Sequence, residues 1–170
     1  MLDIILIKKL FHSLNEELGK MGTLGEIGLC GGAVMCLVFQ TRKATKDIDA
    51  IFEPTQEIRR AAKKVAHQFG LAENWLNDAA KGYFYGNPPK QEVLQLSHLR
   101  VWAPKADYML AMKCIAARLD TYDKDDIQHL IQYLHLETKE EVFCCIEKYY
   151  PRKQIPAKTQ FLIEELLEKP

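Results

Sequence analysis

Residues 31–49 read GGAVMCLVFQTRKATKDID, in the order of a strand–helix–strand unit: two glycines, a short apolar run, a basic turn and an Asp-Ile-Asp triplet. Side chains alternate faces along a strand, so Asp47 and Asp49 are expected to project from one face, with Ile48 on the other. Two carboxylates on one face are hard oxygen ligands, a seat for a divalent cation such as Mg²⁺. Gly31 and Gly32 lack Cβ atoms, so the phosphates of an NTP can come close to backbone N–H groups. The dipole of the helix expected over 33–40 favours anions at the same place. The combination points to nucleotide chemistry. The plainer alternatives are an exposed acid pair balanced by Lys43 and Lys46, and a turn that needs positive φ.

Working outward, residues 26–30 are apolar enough for a short buried strand leading into the glycines. Before them, Asp3 is placed to cap a helix ending near Lys20, with Ile7, Leu10, Phe11, Leu14 and Leu18 at helical spacing. Downstream, a strand over 47–53 stops at Pro54, and Thr55 can cap a helix to Phe69 that Gly70 terminates. Residues 74–81 suggest a short helix, 82–90 are the most loop-like segment, and 92–101 hold one or two strands. Pro104 suits the first turn of a helix reaching about 119, and another starts at Asp123 or Lys124. Thr138 and Glu141 form a capping box for a helix over 139–148, and an amphipathic helix follows over 158–167.

A chain of 170 residues, 48% of them hydrophobic, is long enough for one well-buried core. Lys plus Arg equals Asp plus Glu at 23 each, so no global field recruits nucleic acid, and any such partner must be held locally. Local charge from Arg100, Lys105, Arg152, Lys153 and Lys158 is compatible with an RNA partner. The five cysteines are odd in number and lie mostly in apolar stretches, as reduced core thiols of a cytoplasmic protein would. Lys8 and Lys9 interrupt the apolar N-terminus too early for a membrane span, so no membrane partner is expected.

Two charged residues fall on apolar stripes. Lys113 shares its helical stripe with Ala106, Met109, Leu110, Ala116 and Ala117, and a buried ammonium needs an anion. Asp107 or Asp120 could supply it. Asp126 shares a stripe with Asp123, Ile127, Leu130, Ile131 and Leu134, and its nearest matching cation is Lys113 or Arg118. Asp123 can also cap its helix.

The Gly-Gly pair followed by R-x-x-T-x-D-x-D, with Arg42 and Thr45 in place, resembles the nucleotidyltransferases of the DNA polymerase β superfamily. Within that superfamily the resemblance is to small AbiEii-like enzymes, many of them parts of toxin–antitoxin pairs. K-C-I-A-A-R from Lys113 and D-K-D-D from Asp123 extend the resemblance from about Gly28 to Leu134. It implies an α/β (α+β) fold with a small mixed sheet of four or five strands flanked by helices. A nucleotidyltransferase core over 1–103 would carry a helical C-terminal portion over 104–170, packed as one compact domain. It further implies Mg²⁺ at Asp47 and Asp49 and an NTP at Gly31, Gly32, Arg42 and Thr45, with Lys113 and Asp126 in or beside the active site. The acceptor would be a hydroxyl of tRNA, a protein or a small molecule, and a cognate antitoxin or toxin would be a partner.

One feature departs from that pattern. Such catalysts add a third carboxylate from a later strand, and here only Glu92, at the strand edge, is available, with His98 as an alternative base. The departure motivates a second reading, a nucleotidyltransferase fold retained as an interaction module.

Overall fold

The computed structural model describes residues 1–117 and 121–168. They form a mixed α/β arrangement of seven α-helices, a five-stranded mixed sheet and a two-stranded sheet. Two compact units are distinguishable: Met1–Lys81 with Lys90–Ala103, and Gly82–Pro89 with Pro104–Pro170.

In the first unit, strand β1 (Leu2–Asp3) leads into helix α1 (Ile4–Lys20), and the Asp3 carboxylate caps it by accepting from Leu6 N–H at 2.7 Å. All five residues expected on its apolar stripe are buried. Strand β2 (Gly25–Leu29) precedes helix α2 (Gly31–Leu37); strand β3 (Ala44–Thr45) pairs antiparallel with β1; and strand β4 (Ile48–Glu53) precedes helix α3 (Thr55–Phe69). Strands β5 (Leu76–Asn77), β6 (Lys90–Gln95) and β7 (Leu99–Pro104) complete the sheet in the spatial order β5-β4-β2-β7-β6. β2 runs antiparallel to β4 and parallel to β7, and β4 runs parallel to β5.

One sheet face, carrying Ile27, Leu29, Ile48, Ala50, Leu99 and Val101, is buried. Helices α1 and α3 lie against it: a Cβ on Gly25 would meet Leu18 Cδ1 at 2.8 Å and Ile58 Cδ1 at 3.2 Å. The opposite face carries Asp49, Ile51, Gly28, Trp102 and Arg100. On β4 this alternation leaves Asp49 and Ile51 half-buried between fully buried neighbours.

The second unit holds helices α4 (Ala106–Ala116), α5 (Thr121–Tyr133), α6 (Lys139–Glu147) and α7 (Ala157–Leu167). The capping box at Thr138 and Glu141 is formed in both directions. Segment 82–89 joins this unit through tyrosines. The Tyr108 hydroxyl accepts from Tyr85 N–H at 2.8 Å and donates to Tyr85 O at 2.9 Å, while the Tyr150 hydroxyl donates to Tyr83 O.

Several expectations are corrected. Residues 74–81 do not form a helix: β5 pairs with β4, and a 3₁₀ turn, Ala79–Tyr83, follows it. Ile48 N–H donates to Trp75 O at 2.7 Å and the Trp75 indole donates to Ala62 O at 2.9 Å, so tertiary bonds override local helix propensity. Pro104 closes β7 instead of opening a helix, and α4 begins after Lys105. Thr55 is the first residue of α3, with its hydroxyl donating to Phe52 O at 3.2 Å, and Pro54 occupies the cap position. Gly70 ends α3 at φ 64° as expected.

Candidate functional site

The turn from β2 into α2 places five of the six expected N-terminal site residues in contact. Gly31 has φ 59°, a left-handed conformation that glycine adopts without a steric penalty. A Cβ there would stand 3.0 Å from Asp49 Oδ2. A Cβ on Gly32 would stand 2.7 Å from Thr45 Oγ1 and 3.3 Å from Arg42 Nη1. Both glycines therefore make room for side chains of the protein itself, an acid at one and a hydroxyl and a guanidinium at the other. Helix α2 has only seven residues, so its dipole adds little to anion binding.

Backbone bonds hold the constellation in register. Cys30 N–H donates to Asp49 O at 2.9 Å, tying the end of β2 to the start of β4. The Thr45 hydroxyl donates to Asp47 O at 3.0 Å, and Thr45 is itself buried and paired with Leu2 across β1 and β3. Asp47 lies in the bend just before β4, half-buried, and Asp49 is the second residue of the strand. Strand alternation with the buried Ile48 directs Asp49 to the face opposite the α1–α3 layer, whereas Asp47, expected inside the strand, precedes it in the bend and is not placed by that alternation.

Neither expected supplement to these acids reaches them. Glu92 is exposed on β6, and β2 and β7 lie between β6 and β4. Three inter-strand steps amount to about 14 Å. His98 sits at the opposite end of β2: its carbonyl accepts from Gly25 N–H at 2.9 Å, and its N–H donates to Asn15 Oδ1 at 2.7 Å. The length of β2, about 13 Å, separates it from the glycine turn. Glu26 shares the Asp49 face, but it lies at the far end of β2. It accepts from Trp102 Nε1 at 2.9 Å and pairs with Lys90 at 3.3 Å. Gly28 leaves space for that indole, since a Cβ would meet Trp102 Cζ2 at 2.2 Å.

On β5, Asn77 pairs with Asp49 and shares its face. Read as part of a helix, it gives no sequence signal of this placement.

Lys113 and Asp126 lie in the second unit. The Lys113 ammonium is 2.7 Å from Asp123 Oδ1 and 2.7 Å from Asp126 Oδ2, with Lys113 only 8% and Asp126 only 2% exposed. Lys113 faces inward and is paired with Asp126, as the two stripes imply. Among the described residues Asp123 is its other partner, and Asp107 is not one. Asp120 and Arg118 lie outside the described residues. Two carboxylates share one ammonium, a partly buried ion cluster between α4 and α5.

Four of the five cysteines are buried and Cys144 is exposed; all are free thiols. Burial pushes the thiol of Cys145 up to about 11 and that of Cys114 higher still, which keeps both protonated and unreactive at neutral pH. Burial also raises Cys36, with the Asp3 carboxylate adding to the effect and Arg42 opposing it.

Among the described residues, no three His, Cys, Asp or Glu side chains gather into a metal-binding group. A cation held by Asp47 and Asp49 would therefore complete its shell with water and phosphate oxygens, as Mg²⁺ commonly does. No helix among the described residues is long and apolar enough to cross a membrane. Comparisons with protein-family models, curated proteins and solved structures gave no match.

Proposed function

We propose that the chain is a Mg²⁺-dependent nucleotidyltransferase of the polymerase β type, which transfers a nucleoside monophosphate from an NTP to an acceptor hydroxyl. One observation carries this: the glycine turn closes on an acid, a hydroxyl and a guanidinium, bringing Gly31 to Asp49 and Gly32 to Thr45 and Arg42. Isolated motif pieces have no reason to converge in this way. Asp47, in the bend before β4, and Asp49, on the sheet face away from α1 and α3, offer hard oxygen ligands, and the bound Mg²⁺ would supply charge stabilisation to the reacting phosphates.

Arg42 provides positive charge beside the triphosphate, and Thr45 fixes the bend through the Asp47 carbonyl. The acceptor oxygen forms a bond to the α-phosphorus as the bond to the pyrophosphate oxygen breaks, and the acceptor proton passes to water. Lys113 and Asp126 act as a structural ion cluster between α4 and α5. The acceptor is a hydroxyl of an RNA such as tRNA, of a protein or of a small molecule, and a cognate antitoxin or toxin fits the same reading, as does a cytoplasmic location.

The test supplies α-labelled and γ-labelled NTPs of all four bases with Mg²⁺, total RNA and lysate to the native protein and to folded Asp47→Ala and Asp49→Ala variants. The expected outcome is transfer of the α-label to one acceptor class, reduced about a hundredfold or more in both variants. Transfer of the γ-label alone would mark a kinase-like reaction.

The absence of a third carboxylate among the described residues at this site supports a second reading, an interaction module on the same fold. A thermal midpoint that ignores Mg²⁺ and NTP, together with no label transfer, would favour it.

A further inference from the structure

Strand β5 is only two residues long, yet it is fixed at several points. Trp75, immediately before it, donates its indole N–H to Ala62 O in α3 at 2.9 Å, and Leu76 is buried against the helical layer. Asp78, immediately after it, pairs with Arg59 of α3 at 2.7 Å. Side chains alternate faces from Leu76 onward, so Leu76 and Asp78, both on the helix side, direct Asn77 between them to the other side. There it is the register partner of Asp49 in a parallel pair, with strands about 4.8 Å apart.

The orientation of the Asn77 carboxamide follows from its own turn. Ala79 N–H donates to Asn77 Oδ1 at 3.0 Å, and a backbone N–H requires an oxygen acceptor, so the NH₂ group occupies the other branch. Among the described residues, that NH₂ group has no protein acceptor. A neutral donor beside a metal-binding acid is suited to an anion that the acid alone would repel.

We propose that Asn77 is a positioning residue of this site, its Nδ2 donating a hydrogen bond to a non-bridging oxygen of a nucleotide phosphoryl group held beside Asp49. The proposal rests on the nucleotidyltransferase reading and names a donor that the motif itself does not contain.

The experiment measures Mn²⁺ binding alone, by electron paramagnetic resonance, and binding of the α,β-methylene analogues of the four NTPs with Mn²⁺, by calorimetry. The proteins are the full-length native chain, Asn77→Ala and Asn77→Asp. Asn77→Asp keeps an oxygen acceptor for Ala79 N–H and replaces the NH₂ donor with an anion. The expected result is an analogue affinity about tenfold or more weaker in both variants, with Mn²⁺ affinity of Asn77→Ala within about twofold of native. Native analogue affinity in Asn77→Asp would assign the residue to the Ala79 turn alone and overturn the proposal. Loss of Mn²⁺ binding in Asn77→Ala would make it a metal ligand and overturn it as well. A native chain that binds neither Mn²⁺ nor any analogue would instead overturn the nucleotidyltransferase reading on which the proposal stands.

Discussion

The molecule holds two pairs of aspartates, and their surroundings differ. Asp123 and Asp126 face a buried ammonium at 2.7 Å each, in a helical unit whose α4 is buried almost all round. Asp47 sits half-buried in the bend before β4, and Asp49 half-buried in the strand, on the sheet face that α1 and α3 do not cover and beside a glycine turn. Both pairs look alike as sequence, a few acids near lysines and arginines. The difference teaches that depth of burial, more than residue type, distinguishes the surroundings of one acid pair from those of the other. Removing one member of a buried ion cluster leaves uncompensated charge in a poor solvent for it, whereas a half-exposed acid retains water.

The contrast can be broken most sharply by exchanging charge for neutral shape in each pair. Lys113→Met removes the ammonium that the half-buried Asp123 and the buried Asp126 share. It is expected to lower unfolding stability by about 3–5 kcal/mol, read from urea denaturation. Asp49→Asn, in the other pair, is expected to change stability by about 1 kcal/mol or less while removing divalent-cation and nucleotide binding. If the two variants were equally destabilised, the division into structural and ligand-directed acids would fail.

Next in size is the glycine turn. Gly31→Ala combines a left-handed backbone with a Cβ placed 3.0 Å from Asp49 Oδ2. A cost of about 1–2 kcal/mol is expected from the backbone alone. The calorimetric affinity for Mn²⁺ is expected to weaken as well, because the carboxylate must move. An unchanged affinity would show that the turn and the acid are neighbours without a shared task.

The smallest effect concerns an exposed acid with a purely local role. Glu141 accepts from the backbone N–H groups of Glu137 and Thr138 at 2.7 and 3.0 Å, and those bonds hold its carboxyl below the ordinary value of 4.5. A lowered folded-state value means that the stabilisation is complete above the ordinary value and is lost as pH falls through the lowered one. The thermal midpoint of Glu141→Gln is thus expected to lie slightly below native at neutral pH and to converge with it in acid. A gap that widened on acidification would reverse the assigned sign.

Local signals were legible where the physics is local. The apolar stripe of α1, its Asp3 cap, the left-handed Gly70 and the capping box at Thr138 all involve residues within one or a few turns of each other. The reading of 74–81 failed because its partners lie far away in sequence. Residues 74–81 look helical in isolation, yet Ile48 and Ala62 supply the bonds that extend 75–77 as a strand. Glu92 and His98 are candidates in the sequence because chain order does not give the strand arrangement that sets them apart from Asp49.

By itself the sequence determined the helical faces, the caps and the alternation that sends Asp49 to the side opposite Ile48, because these follow from the fixed periods of helix and strand. It also determined that Lys113 must meet an acid, since an ammonium on an apolar stripe requires one. Only the tertiary structure decided that Asp123 and Asp126 share that lysine. It also decided that Gly31 and Gly32 yield their space to Asp49, Thr45 and Arg42, and that Asn77 stands beside Asp49. Each of these depends on which strand or helix lies next to which. Chain order does not encode that adjacency locally; it is set when the apolar faces of separate elements are buried against one another.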